Sequence, residues 1–266
     1  MTDQTLAAIP AVVEPRANPY LDQTSIEFRF RARRFERVKA MIAMTIAERG
    51  HCDILDLGGT ETYWRIGAEF IAANRDKLRI TLVNPEAETA RDRALFTSLA
   101  GDATDPALFA GRTFDLVHSN SVIEHVGDDA AMQRFAVNVR RLGRRYFVQT
   151  PNYWFPYEPH FRFPGFQYLP VFVRREMLRR FALGFFRPVP DRREAQDVID
   201  HHRLVTASQM RCFFPDAEIG FEKFKGLNKS IMAVRDAAPA RLVVDEAPTL
   251  APRMEDMIEM DVETVA

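Results

Sequence analysis

The chain has 266 residues, which suits one domain of generous size, and its 47% hydrophobic and 27% charged content is ordinary for a globular protein. A formal net charge of −1 supplies no global field that would recruit nucleic acid or acidic lipid. Cys52 and Cys212 stand far apart without a CxxC partner, which argues against a disulfide framework. The N-terminal residues lack the basic-then-apolar layout of a leader, and no apolar stretch is long enough to span a bilayer. A cytoplasmic protein without stable membrane insertion is expected.

Residues 1–23 carry Pro10, Pro15 and Pro19 with little periodicity and read as a flexible arm. Ser25 caps a predicted helix over 26–49 that Gly50 ends, with its arginines read as a solvated face. From there apolar runs alternate with helical ones. Strands are expected at 53–57, 78–84, 95–100, 114–120 and 144–151. Helices are expected at 64–76, before 95, and at 129–143. This alternation argues for a parallel sheet with helices on both faces, with ligands beyond the carboxyl ends of the strands. Residues 151–190 are rich in Pro, Phe, Tyr and Arg, with a helix near 172–183. A short helix at 206–214 precedes a predicted hairpin of 217–224 and 229–235. The segment 236–266 holds eight acids, two arginines and three prolines, the composition of a disordered acidic tail.

The chemistry begins at ILDLGGTETYW, residues 54–64, where a strand meets Gly58 and Gly59. A pyrophosphate-binding turn needs GxGxxG, but here the later glycine is absent and Glu61 brings negative charge. No GK[ST] follows either, so the P-loop is excluded. The turn suits a nucleotide-like ligand without phosphates. With its acid and glycines, Asp56-Leu57-Gly58-Gly59 resembles the first motif of the class I S-adenosylmethionine-dependent methyltransferases, in the broad type 11 group. The resemblance covers most of 50–235, and Thr60 stands where relatives usually have a third glycine.

The resemblance implies a doubly wound, mostly parallel seven-stranded sheet with a C-terminal antiparallel hairpin, a Rossmann-like fold, over a domain of 24–235. It implies S-adenosyl-L-methionine as cofactor, with the backbone of Gly58, Gly59 and Thr60 close to it and Asp56 orienting its amino-acid end. Asn84, at the end of the second strand, takes the place of an acid that meets the ribose; an Asx turn before Pro85 is its structural alternative. Asp102 and Ala103, in AGDATD, match positions that read the adenine, although Asp102 can equally start a turn. Asn120 and Ser121 would line the edge after the fourth strand. Glu124-His125 suits a divalent ion by residue type. Metal-binding relatives carry Glu-x-x-Glu-His, however, and Ser121 stands where their first glutamate would be, so no metal is expected.

The acceptor is assigned to 151–170, where X-Pro turns space aromatic residues around Glu158 and His160. The expected catalytic set is His160, Glu158 and His125, with His160 either taking a proton or bracing its loop. Tyr153 and Trp154 are placed near the methyl group, and His201 and His202 are left as further candidates for the same pocket. The expected partner is a small-molecule or glycan- or lipid-linked acceptor, with no nucleic acid. The rival readings are a non-catalytic partner protein of the same fold and an RNA methyltransferase. The second is disfavoured by the near-neutral charge.

Overall fold

A computed structural model describes the protein at residue 22 and over residues 24–236. Apart from Asp22 and Asp236, the expected N-terminal arm and acidic tail lie outside the described residues. Helix α1 spans Ile26–Arg49; the Ser25 side chain accepts from the Phe28 N–H, and Gly50 closes the helix in the left-handed region. Its buried stripe of Phe35, Val38, Met41 and Ile42 packs on one face of the central sheet. Not all its arginines are solvated as expected. Arg34 is buried and pairs with Glu222 at 2.7 Å, tying α1 to the C-terminal hairpin.

The sheet is built from β1 (Cys52–Leu57), β2 (Leu78–Asn84), β3 (Phe96–Ala100), β4 (Phe114–Asn120), β5 (Gly143–Pro151), β8 (Glu218–Phe224) and β9 (Leu227–Arg235). The order is β3-β2-β1-β4-β5-β9-β8, and β9, the last strand among the described residues, runs antiparallel to both of its neighbours. The doubly wound seven-stranded architecture is therefore as expected. Strand order reverses between β1 and β4, and crevices that bind ligands form at such a switch point.

Between β1 and β2 the single helix expected over 64–76 is broken. It comprises α2 (Glu61–Trp64), a 3-10 turn, α3 (Ala68–Ala73) and a second 3-10 turn. The helix expected before residue 95 is absent, and that stretch is irregular chain and turn. Helix α4 (Asp129–Leu142) is capped by Asp128 and buries Met132, Phe135, Ala136 and Val139 against the opposite face of the sheet. Helix α7 (Ala207–Phe213) begins in a capping box of Thr206 and Gln209 and packs on that same face.

The chain between β5 and α7 forms a cap with a core of its own. It contains the short hairpin of β6 (Tyr157–Glu158) and β7 (Phe163–Pro164), then α5 (Val171–Arg180) and α6 (Arg192–Asp200). Phe161, Phe166, Leu178, Phe186, Val198 and Ile199 form a third apolar cluster, separate from the two that flank the sheet. The cap is pinned at its base, where Asn152 bridges Val205 and the Asn152 side chain donates to the Asn228 carbonyl. It thus extends beyond the 151–190 read from the sequence. Its added element, α6, was hidden by a strongly charged sequence that buries only Ala195, Val198 and Ile199.

Candidate functional site

The carboxyl ends of β1, β2 and β4 converge on the glycine turn. Gly58 has a φ of 73°, and a Cβ placed there would lie 2.4 Å from Val122 Cγ2, so glycine is required on two counts. A Cβ on Gly59 would fall 1.7 Å from Asp56 Oδ2. The turn is bare backbone because the packing beneath it leaves no room for side chains.

Asp56 is the centre of that packing. It is fully buried and faces His118, its register partner on β4. His118 Nδ1 lies 2.7 Å from Asp56 Oδ1, and the indole Nε1 of Trp64 donates to Oδ2 at 2.8 Å. The far nitrogen of His118 meets the Tyr63 hydroxyl at 3.1 Å. A carboxylate only accepts, so the His118 Nδ1 contact makes that nitrogen the donor. Asp56 has no exposed surface, and through these bonds it holds the turn. Thr60 caps α2, its hydroxyl receiving the Tyr63 N–H at 3.4 Å.

At the end of β2, the Asn84 amide donates to the Gly59 carbonyl at 2.9 Å. An acid could not make this bond, which gives a physical reason for asparagine at the position. Asp102 forms the turn that was its structural alternative: Oδ1 accepts from the Thr104 N–H at 2.7 Å and Oδ2 from the Thr104 hydroxyl at 2.9 Å. The Ala103 carbonyl receives the buried Asn138 amide at 2.7 Å, so α4 fixes this loop from below. At the end of β4, Asn120 Oδ1 is buried without a hydrogen-bond partner among the described residues. Ser121 follows with a φ of 58°, held by its N–H on the Gln149 carbonyl and its hydroxyl on the Gln149 side chain. A non-glycine residue in this region is strained, and such strain concentrates at functional sites.

Beyond Ser121 lies a second constellation. Glu124 is fully buried; Oε2 accepts from Thr150 at 3.0 Å, while Oε1 has no partner among the described residues. Burial pushes its carboxyl up to about 7, against the opposing influence of His160. His125, His160 and His202 are mutual neighbours, with ring centroids 4.8, 4.8 and 4.9 Å apart. Burial drives His125 down to about 3 and His202 down to about 4, the neighbouring His160 adding to both. Burial also opposes charge on His160, but its hydrogen bond to Glu158 and the charges of Glu158 and Glu124 outweigh this and raise it.

The expected catalytic set of His160, Glu158 and His125 is thus brought together. Glu158 is buried, with Oε1 2.7 Å from His160 Nδ1 and Oε2 receiving the Phe161 N–H at 2.6 Å. Of the two adjacent histidines, His202 joins the cluster, whereas His201 contributes its backbone carbonyl to His125 and turns its ring to the Asp197 carbonyl. The aromatic wall is only partly formed. Phe161 and Phe166 are absorbed into the cap core, while Trp154 is 58% exposed and stacks on Tyr168. Trp154 was expected near the methyl group; its exposure places it on the outside of the cap.

No protein-family model matches the chain. Two curated relatives, the uncharacterized proteins Rv1509 and MT1557 of two Mycobacterium tuberculosis strains, are each 43% identical over 56 residues. That match covers 21% of this chain and 19% of each relative. Among solved structures, an O-methyltransferase family protein from Burkholderia thailandensis aligns with a TM-score of 0.45 and 12% identity, over 79% of this chain and 58% of that one. Magnesium protoporphyrin IX methyltransferase from Synechocystis PCC 6803 aligns with a TM-score of 0.44 and 12% identity, over 84% and 90% of the two chains. N-methyltransferase NodS from Bradyrhizobium japonicum WM9 gives 0.42 and 11%, over 82% and 92%.

Sequence reasoning missed His118, Trp64 and Tyr63 as the support of the turn. A signal was present, since strand alternation in HSN and the GGTETYW spacing put an imidazole and an indole near Asp56. It also missed Asn138, a polar residue at a position of α4 that faces the core.

Proposed function

We propose that this protein transfers a methyl group from S-adenosyl-L-methionine to a small-molecule or glycan- or lipid-linked acceptor. The observation that carries the reading is the bare glycine turn at the switch point between β1 and β4, with the unpartnered Asn120 Oδ1 at the adjacent strand end. These features fit a ligand that rests on backbone and offers donors, as the adenosyl and amino-acid ends of this cofactor do. When bound, the cofactor supplies an already activated methyl on its sulfonium.

The chain's own part is placement. Gly58, Gly59 and Thr60 present backbone, and Asp56 keeps that backbone in shape through Trp64 and His118. Asn84 uses its N–H on Gly59, leaving its carbonyl oxygen for a ribose hydroxyl. Asp102 and Ala103 serve the adenine from a turn that Thr104 and Asn138 hold. Asn120 and Ser121 line the step from cofactor to acceptor. At the acceptor end Glu158 is a positioning residue: it fixes the proton of His160 on Nδ1 and leaves Nε2 able to take a proton from an acceptor hydroxyl. His125 packs edge-on beside it. The cap shields this end from water, which favours a positioned transfer.

The test incubates the full chain with methyl-labelled cofactor and a fractionated metabolite extract and follows acceptors by mass. Gain of one labelled methyl group by a discrete compound, lost in a His160→Ala variant that still binds the cofactor, is the expected result. Absence of any labelled product across aqueous, glycan and lipid fractions would support the non-catalytic rival.

A further inference from the structure

We propose that Glu124, His125, His160 and His202 form a binding site for one borderline divalent transition-metal ion of the zinc class. The inference goes beyond methyl transfer and does not depend on it; while an ion is bound, His160 Nε2 is a ligand and is not available as the base proposed above. It departs from the expectation of no metal, which considered only ligands inside the loop after β4. The cap brings the additional ligands from a distance.

The first observation is the state of the three imidazoles. Nδ1 of His125 lies 2.9 Å from the His201 carbonyl, Nδ1 of His160 lies 2.7 Å from Glu158 Oε1, and Nδ1 of His202 lies 2.6 Å from the Val198 carbonyl. Carbonyl and carboxylate oxygens only accept, so all three Nδ1 atoms carry the hydrogen. In the neutral rings each Nε2 then carries the lone pair. Three adjacent rings with the same tautomer, each anchored through its second nitrogen by an oxygen, is the arrangement that holds imidazole ligands around a metal.

The second observation is Glu124. Its Oε1 is buried in a side chain with no exposure and has no hydrogen-bond partner among the described residues. An unpartnered carboxylate oxygen in such surroundings is costly unless something positive meets it. One ligand atom from each of Glu124, His125 and His160 lies within 4.8 Å of the others, and the His202 ring flanks both histidines. Tetrahedral bonds of about 2.1 Å would need these atoms roughly 3.4 Å apart, a closure of up to about 1.4 Å that side-chain rotation can supply. His160, part-exposed at 14% of its side chain, gives the ion a way in.

The donor set selects the ion. Three nitrogens and one carboxylate suit zinc, cobalt, nickel or ferrous iron, whereas magnesium and calcium favour oxygen shells. Four protein ligands would close the shell in the resting state. Release of one would open a position beside the proposed acceptor region.

The experiment titrates Co2+ into the metal-stripped full chain, following visible d–d absorption, and then competes it with Zn2+. The expected result is one Co2+ per chain with a strong tetrahedral-type spectrum that Zn2+ abolishes. His202→Ala should weaken binding at least tenfold. Glu158→Gln, which keeps the shape but alters the group behind His160, should weaken it 10- to 100-fold. His51→Ala, at a surface site far in sequence from the cluster, should leave affinity unchanged. Failure of the folded wild-type chain to bind Co2+ stoichiometrically would overturn the proposal. So would equal affinity in wild type and both site variants. Calorimetry with S-adenosylhomocysteine on the same samples reports the cofactor reading separately, so loss of one does not count as loss of the other.

Discussion

The glycine turn and the histidine cluster sit on the same edge of the sheet but are built in opposite ways. The turn is local. Asp56, Gly58, Gly59, Tyr63 and Trp64 lie within one short stretch, and His118 joins because β1 and β4 are paired so that Asp56 and His118 stand side by side. The cluster is assembled from three separate stretches: Glu124 and His125 after β4, His160 in the cap, and His202 at the cap's exit. It exists only because the cap folds on its own core and is pinned at Asn152 and Val205. A site made by sheet register belongs to the fold's main cooperative unit. A site made by an insertion depends on a smaller core and can open by itself.

This contrast sets the order of expected effects. Asp56→Ala should act on the whole domain, since it leaves the Trp64 indole N–H and the His118 Nδ1–H buried without an acceptor. At about 1–3 kcal/mol for each stranded donor, a loss of roughly 2–6 kcal/mol is expected in denaturant unfolding. A much smaller loss would mean that the turn is held by something other than Asp56. Glu158→Ala should instead act locally. It should raise amide hydrogen exchange in 152–205 while β1, β2 and β4 keep their protection. Equal exchange in both regions would contradict the independence of the cap.

Gly58→Ala should cost about 1–2 kcal/mol from the left-handed backbone, with a further penalty from contact with Val122. Adding Val122→Ala should recover the contact part and leave the backbone part. Larger replacements at Gly58 would therefore report strain together with any effect on the ligand, so a valine there cannot isolate cofactor binding. Asn84→Asp should cost about 1 kcal/mol, as the donor to the Gly59 carbonyl is lost and an acceptor faces it instead.

The smallest effect belongs to neither region and serves as their reference. Burial disfavours charge on Asp216, yet hydrogen bonds from Tyr146 and Arg235 and the charges of Arg235 and Arg140 outweigh it, so its carboxyl lies below the ordinary 3.8. A lowered folded value means that the stabilisation is complete above the unfolded value and disappears as pH falls through the folded one. Asp216→Asn should therefore be less stable at neutral pH and lose less on acidification below about 3.8. Parallel stability curves for the two proteins would show that this carboxylate is not linked to folding.

What could be read from the sequence follows the same division. The sheet was legible because β-α alternation and the cap at Ser25 are short-range signals. The glycine turn was legible for the same reason, although the burial of Asp56 and its bonds to Trp64 and His118 were not. The pairing of His160 with Glu158 was within reach, being two residues apart. The choice of His202 over His201 was not, because it depends on how α6 ends against the cap core. The break in the helix after Trp64 was hidden as well: apolar spacing continues through Gly67, whose position lies against Phe35 of α1.

The central claim is that the switch point between β1 and β4 binds S-adenosylmethionine. Isothermal titration of the full chain with S-adenosylhomocysteine tests it most directly, with Asn84→Asp as the paired variant and circular dichroism confirming that both are folded. The account predicts one saturable site per chain, weakened in the variant. A folded wild-type chain that gives no binding heat at several temperatures, and no shift in melting temperature at saturating ligand, would contradict it.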